Sequence, residues 1–425
     1  VTTTTDRATK HPGGLRGLLR GGVGIAVAMV VMNVSTYAFQ MIAARRVGPT
    51  EYGAVASLMA LLMVLAVAQL GLQATAARRI AATPEHVTQI EHIIMRVTVR
   101  AAIVIGAVML LAAPLVHRVL RLDSLWPAIL IALAAVPLTI QGGQAGILQG
   151  ERRWLQLGLM YLGVGIPRLV FGTICIVISP TETAAMFGVL LGLMVPVVVG
   201  WFALRRPRDP GERSTEHAGR AVARETFHAS MALLAFYVLS NIDILVARNV
   251  LDSHDAGLYA GGLILTKATL FLPQFVVVVA FPAMSTVSER RRTLLRSLGL
   301  VLALGVATVI GVLVLPEVAL LFIGGGEYDE VTSILWLFSG LGIALSMLQL
   351  LVYSVLARQG TRTAYLIWVA VLVLVISGVV LGSLTGLLVA VVTVDVLLLL
   401  ALLVLSLWRM NRLETAPAVD VPVVA

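Results

Sequence analysis

The sequence predicts an all-α, multi-pass membrane protein of about twelve transmembrane helices, and three observations carry that prediction. Of 425 residues, 59% are apolar and only 12% are charged, where a soluble chain carries about a quarter charged residues. The mean hydropathy is +0.97. Apolar runs of about 20 residues, enough to cross roughly 30 Å of hydrocarbon at about 1.5 Å per residue, recur along the whole chain.

The runs fall at 21–44, 52–77, 94–117, 125–148, 157–179, 184–204, 226–250, 257–283, 295–323, 332–357, 364–382 and 386–408. The first follows a polar, threonine-rich stretch and is too long and too polar for a secretory signal, so it is expected to stay as a helix. The net charge of +9 acquires meaning once the basic residues are sorted by side. With the N-terminus placed in the cytoplasm, 24 of the 31 Lys and Arg residues fall on the inner side. Outer turns hold only Arg45, Arg46, Arg118 and Arg121, and Arg168, Arg248 and Lys267 fall within or near the bilayer. Both termini are therefore expected to be cytoplasmic. The Arg-, Pro-, Glu- and Gly-rich stretch 205–225 is the one long loop, and it divides the chain into a six-helix lobe at 1–204, an interlobe linker at 205–225, a six-helix lobe at 226–408 and a cytoplasmic tail at 409–425.

An internal repeat supports the division. Ala44-Arg45-Arg46-Val47 recurs as Ala247-Arg248-Asn249-Val250, and Glu51-Tyr52-Gly53 is echoed by Gly257-Leu258-Tyr259 after His254-Asp255-Ala256. Leu148-Gln149-Gly150-Glu151-Arg152 is echoed by the segment from Leu356 to Arg362. Because each half holds an even number of runs, the repeats are expected to be parallel, two lobes flanking a central path.

Several chemistries are excluded or disfavoured. Cys175 is the single cysteine, so no disulfide forms within the chain, and no thiolate metal site is expected. No phosphate loop of the GxxxxGK[ST] kind is present, which argues against ATP-driven transport within this chain. Glu327, Asp329 and Glu330 cluster in an outer turn, read as a solvated loop rather than as a catalytic carboxylate site. Neither catalytic residues nor nucleic-acid binding are expected.

The informative residues are polar ones inside apolar runs, where a charge costs about 2.5–3.5 kcal/mol on insertion scales. Asn33, Thr36, Tyr37 and Gln40 fall on one helical face of the first run, either as hydrogen-bonding partners of a packed helix or as the wall of a hydrophilic cavity. In the seventh run Tyr237, Ser240, Asn241, Asp243 and Arg248 share an arc, and in the eighth Lys267 and Gln274 lie seven apart. Asp243 and Lys267 can form a structural ion pair. Alternatively, Lys267 and Arg248 serve as counter-charges for an anionic head group, with Asp243 setting charge balance or binding a coupling cation. Arg168 follows Pro167 in the fifth run and needs an acidic partner or a water-filled space. Asp395 lies among Val and Leu in the last run, as a protonated acid or a proton-coupling site.

At Arg46-Val47-Gly48-Pro49-Thr50-Glu51-Tyr52-Gly53, followed by Leu70-Gly71-Leu72, Ala76 and Arg79-Ile80-Ala81, the chain resembles bacterial polysaccharide or O-antigen (Wzx-like) flippases of the multidrug/oligosaccharidyl-lipid/polysaccharide (MOP) exporter superfamily. Leu148-Gln149-Gly150 with Arg153, Asp243 with Ala256-Gly257 and Tyr259, Phe281-Pro282, Leu321-Phe322 with Gly326 and Tyr328, and Gly360 with Arg362 follow in the family's order. The resemblance implies two six-helix lobes around a central cavity lined by the first, second, seventh and eighth spans. It also implies alternating access that moves a polyprenyl-diphosphate-linked oligosaccharide across the cytoplasmic membrane. Its partners would be that glycolipid, membrane lipids and other polysaccharide-assembly proteins. No cofactor is implied, and coupling to an H⁺ or Na⁺ gradient stays open. A peptidoglycan lipid-precursor flippase, a multidrug/cation antiporter of the same superfamily and, from another class, a membrane glycan polymerase or ligase are the alternatives.

Overall fold

The computed structural model describes residues 22–205, 219–271, 290–356 and 362–414. Every regular element among them is helical. The first, α1 (Gly22–Ala82), is 61 residues long, about 90 Å if straight and far longer than a bilayer is thick. It bends at Gly48 (φ 77°, ψ 169°), a left-handed backbone that glycine adopts freely, and Pro49 follows as the first residue of the new arm. The expected turn around 45–51 is thus a single non-helical residue inside a bent helix.

The chain continues through α2 (Val87–Val119), α3 (Trp126–Gly150), α4 (Trp154–Ile178) and α5 (Glu182–Leu204). Thr181 caps α5, its side chain accepting from the Ala184 amide at 3.2 Å, and Glu182 sits favourably in the first turn. After the interlobe segment come α6 (Gly219–Val250) and α7 (Ser253–Phe271). Residues 219–225, expected as the end of the linker, are the first two turns of α6. The run expected at 295–323 is broken at Leu315–Pro316 into α8 (Arg290–Val314) and the short α9 (Pro316–Ile323), because a proline removes the amide that would continue the ladder. A 3₁₀ segment, Gly326–Ile334, then leads into α10 (Leu335–Leu356), followed by α11 (Arg362–Leu381) and α12 (Leu384–Glu414).

Among the described residues nine helices are long and apolar enough to cross a membrane. Their outward faces are apolar, as the row Val99, Ile103, Val104, Val108, Leu111 and Leu115 on α2 illustrates, all of them exposed. Lipid is the environment in which such a surface is stable.

Within the first half, small residues set the packing. Gly142 and Gly146 of α3 face the main chain of Gln69 and Gln73 on the second arm of α1, and Gly165 of α4 faces Met32 on the first arm. Between lipid-exposed helices, this close approach supplies the dispersion contact that burial from water cannot. Helix α5 packs on α4, and α10 gathers α7, α8 and α12. The second arm of α1 runs antiparallel to α6 and joins the halves. At one end of this pairing Arg78 and Arg79 both pair with Glu225, the Arg79 contact at 2.7 Å, and Ser230 Oγ donates to Val67 O at 3.4 Å. At the opposite, distal end Gly257 of α7 meets the Pro49 carbonyl with no room for a side chain between them.

Candidate functional site

A small space of about 10 Å³, room for about one water molecule, lies between α1 and the α6–α7 pair, lined by Gln40, Tyr52, Ala56, Met59, Ile244 and Lys267 among others. The bend at Gly48 turns both arms of α1 toward this space, which places Gln40 and Tyr52 on the same wall although they lie twelve residues apart. Lys267 is the cavity's cation. Its Nζ donates to Asn241 Oδ1 at 3.1 Å and lies 3.8 Å from Met63 Sδ, while Asn241 itself donates to Tyr237 O at 2.9 Å and to Ser240 Oγ at 3.1 Å. One amide oxygen and a thioether sulfur hold the ammonium, and the Asp243 carboxyl lies within electrostatic reach of it.

Asp243 faces elsewhere. Two helical positions are about 200° of rotation, so Asn241 and Asp243 cannot serve the same side of α6. Asp243 is 3% exposed, and its Oδ2 accepts from Tyr259 Oη at 3.0 Å. Asp395 of α12 is 1% exposed and lies within electrostatic reach of both Asp243 and Tyr259. Asp243 Oδ1 and Asp395 Oδ1 have no donor among the described residues. Asp243, hydrogen-bonded to Tyr259, and the nearby Asp395 are thus two buried carboxyls, each with an oxygen that lacks a donor among the described residues. Asp243 and Lys267 make no direct ion pair, each hydrogen-bonding a neutral partner, but they lie within electrostatic reach of one another.

The other expected residues are dispersed. Tyr37 packs near Phe322, ring centroids 6.5 Å apart, with a buried hydroxyl that has no partner among the described residues. Asn33, one turn before it, is half-buried and engaged in contacts of its own. Arg168 is half-buried on α4, its backbone against Gly192 of α5, and its Nε is buried without an acceptor among the described residues. Arg248 is 4% exposed and lies at the distal end, where Nε donates to Leu120 O at 3.0 Å and Nη2 to Arg121 O at 2.7 Å. It is therefore not a lining residue of the cavity. Gln274 lies outside the described residues, as do Phe281 and Pro282.

A family model described as polysaccharide biosynthesis protein matches residues 18–288, which include both arms of α1 and the α6–α7 pair that wall the cavity. The chain belongs to that family. Among solved structures this family member is similar to an inward-facing multidrug resistance MATE family transporter of the MOP superfamily, with a TM-score of 0.73 at 15% identity over 92% of this chain and 100% of that one. The outward-facing conformation of a MATE family transporter matches with a TM-score of 0.62 at 16% identity, over 96% and 100%. A MOP superfamily transporter from Pyrococcus furiosus, described as having a binding pocket of reverse polarity, matches with a TM-score of 0.61 at 15% identity, over 96% and 100%. No curated protein matches the chain. The polysaccharide-biosynthesis family member thus has the fold of MOP-type transporters and is a multi-pass membrane protein.

Sequence reasoning did not single out Tyr259 as a functional residue, although it is fully buried and holds Asp243. A signal existed in the repeat, where Tyr259 echoes Tyr52, itself 1% exposed on the cavity wall.

Proposed function

We propose that this protein flips a polyprenyl-diphosphate-linked oligosaccharide, a precursor of a cell-surface polysaccharide, across the cytoplasmic membrane by alternating access. In this reading the chain crosses the membrane twelve times as two six-helix lobes, with the termini and the Arg78–Arg79–Glu225 end inside and the distal end outside. The observation that carries it is a cation, Lys267, held by Asn241 in the seam between α1 and the α6–α7 pair beside the hydrogen-bonding groups of Gln40 and Tyr52, at a small space that must widen to admit the cargo. A cation suits a diphosphate, and amide and hydroxyl groups suit sugar hydroxyls. The prenyl tail would remain in lipid. Arg168, with a free buried Nε, offers a second anion contact in the first lobe.

Direction requires a partner whose affinity differs between the two facings. The Asp243–Tyr259–Asp395 cluster behind the cavity is the proposed place for a coupling H⁺ or Na⁺, and removal of the glycan by assembly proteins outside would bias the cycle further. Binding and flipping of a fluorescent polyprenyl-diphosphate glycan by protein in liposomes tests the assignment. Lys267→Ala should weaken binding about tenfold or more, the scale of one charge-assisted hydrogen bond, and Lys267→Arg should retain most of it. Unchanged binding by Lys267→Ala would remove the diphosphate role. The multidrug transport named for the MATE structures is the competing reading, favoured if organic cations compete with the glycolipid in the same assay.

A further inference from the structure

The distal end holds a second arrangement that the transport site does not use. Arg45, at the end of the first arm of α1, donates through Nη2 to Leu321 O at 3.0 Å and through Nε to Gly324 O at 3.4 Å. Arg248, at the end of α6, donates through Nε to Leu120 O and through Nη2 to Arg121 O. The two arginines are separated by 203 positions, and so are the acceptors Arg121 and Gly324, with Leu120 and Leu321 separated by 201. The same offset relates the motif Ala44-Arg45-Arg46-Val47 to Ala247-Arg248-Asn249-Val250. Each arginine therefore reaches out of its own repeat and grips the matching turn of the other.

The acceptors explain why arginine is used. They are carbonyls at the C-terminal ends of α2 and α9, where the last turn of a helix has no amides to satisfy it and carries partial negative charge. A planar guanidinium delivers two parallel donors to such a pair, which an ammonium cannot do in fixed geometry. The turns match as well: Arg121 (φ 49°) and Gly324 (φ 142°) both have positive φ. Additional bonds tighten both sides. Arg121 returns the contact by donating to Asn249 O at 2.7 Å and Leu251 O at 3.3 Å, and Asn249 Nδ2 donates to Val119 O at 2.8 Å. On the other side Tyr328 Oη donates to Ala44 O at 3.1 Å. Between the two grips Gly53 and Gly257 nearly touch, a Cβ on Gly53 lying 3.2 Å from the Gly257 nitrogen and 3.3 Å from Arg248 Nη1. Arg248 also lies in the field of Glu182, Asp123 and Glu51, all from the first half.

We propose that Arg45 and Arg248 form a repeat-symmetric clasp that locks the two lobes together at the distal end, and that both grips must release for the cavity to open there. The clasp rests on the two-lobe transporter reading but not on the identity of the cargo. Its hydrogen-bond acceptors are main-chain carbonyls, so the lock depends on helix ends meeting, with the Glu182, Asp123 and Glu51 carboxyls adding charge on the Arg248 side.

The test is a distance measurement on the full-length protein in lipid nanodiscs, with no substrate present. Because Cys175 is the only cysteine, a Cys175→Ser background accepts spin labels at Pro180→Cys, in the turn after α4, and Leu381→Cys, at the end of α11, exposed positions in opposite lobes. The parent should show a dominant short-distance population. Arg45→Ala and Arg248→Ala should each raise the ratio of long to short populations about tenfold or more, and the double variant further. Lysine at either position keeps the charge for folding and should fall between parent and alanine. An unchanged distribution in a monodisperse double variant overturns the clasp. An effect from one arginine and none from the other overturns its symmetric form. Failure of the glycolipid assay with an intact response here would count against the cargo and leave the clasp standing.

Discussion

Gly257→Ala is the most severe single-methyl perturbation that the structure identifies at the interlobe seam. The added Cβ falls onto the carbonyl and α-carbon of Pro49, well inside van der Waals contact, and no side-chain rotation relieves the overlap because the obstacle is main chain. Nonbonded atoms need roughly 3.5 Å, so α1 and α7 must part by about 1 Å or more. That displacement is large enough to lengthen the nearby Arg45 and Arg248 contacts, now 2.7–3.4 Å, toward the limit of hydrogen bonding. Overpacking costs about 1–3 kcal/mol, and a backbone obstacle belongs at the upper end. The helix gains about 1 kcal/mol from replacing glycine, which leaves a net loss of about 1–2 kcal/mol. Gly311→Ala is the matched control, since nothing lies within 4 Å of its added methyl. Melting in detergent, followed by size-exclusion fluorescence, should place Gly257→Ala below the parent and Gly311→Ala at or above it. Equal melting temperatures for the two variants would refute the reasoning.

Tyr259→Phe removes the one side-chain donor to Asp243 among the described residues and should cost about 1–3 kcal/mol, whereas the same change in an Asp243→Asn background should cost less; equal losses in a double-mutant cycle of thermal melts would show that the two do not interact. Arg168→Met should stabilise the fold, because a buried Nε without an acceptor is relieved, while glycolipid flipping falls; a loss of stability together with unchanged flipping would assign Arg168 to packing. Glu225→Ala should lower the melting temperature modestly, by about 1 kcal/mol for a half-buried carboxylate shared by two arginines, and screening by salt should narrow the difference from the parent.

Much of the helix inventory was legible, because apolar runs of bilayer length leave few alternatives to helix. Breaks were less so. Gly48–Pro49 was readable as a turn but not as a bend inside one helix, since only the packing of both arms decides whether hydrogen bonding resumes at once. The interruption at Pro316 lay inside an unbroken apolar run, where hydropathy is blind and proline is the sole signal.

At the site, Gln40, read either as a packing partner or as a cavity wall, and Lys267, read either as half of an ion pair or as a counter-charge, both border the small space between α1 and the α6–α7 pair. Asn241 and Asp243 were grouped on one arc, yet two positions of helical rotation send them to different neighbours. Arg248 was grouped with the cavity candidates because it shares an arc of its run with Tyr237, Asn241 and Asp243. The carbonyls it grips belong to a helix end 127 residues away in sequence, and no local pattern announces them. Its repeat relationship to Arg45 was visible from the start, but it acquires meaning only once both acceptors are known.

The central claim is tested most directly by mass spectrometry of polyprenyl-linked glycans in cells lacking this protein, combined with leaflet-resolved labelling. The account predicts accumulation of a complete lipid-linked oligosaccharide on the cytoplasmic face. An unchanged pool, or intermediates already exposed outside, would contradict it.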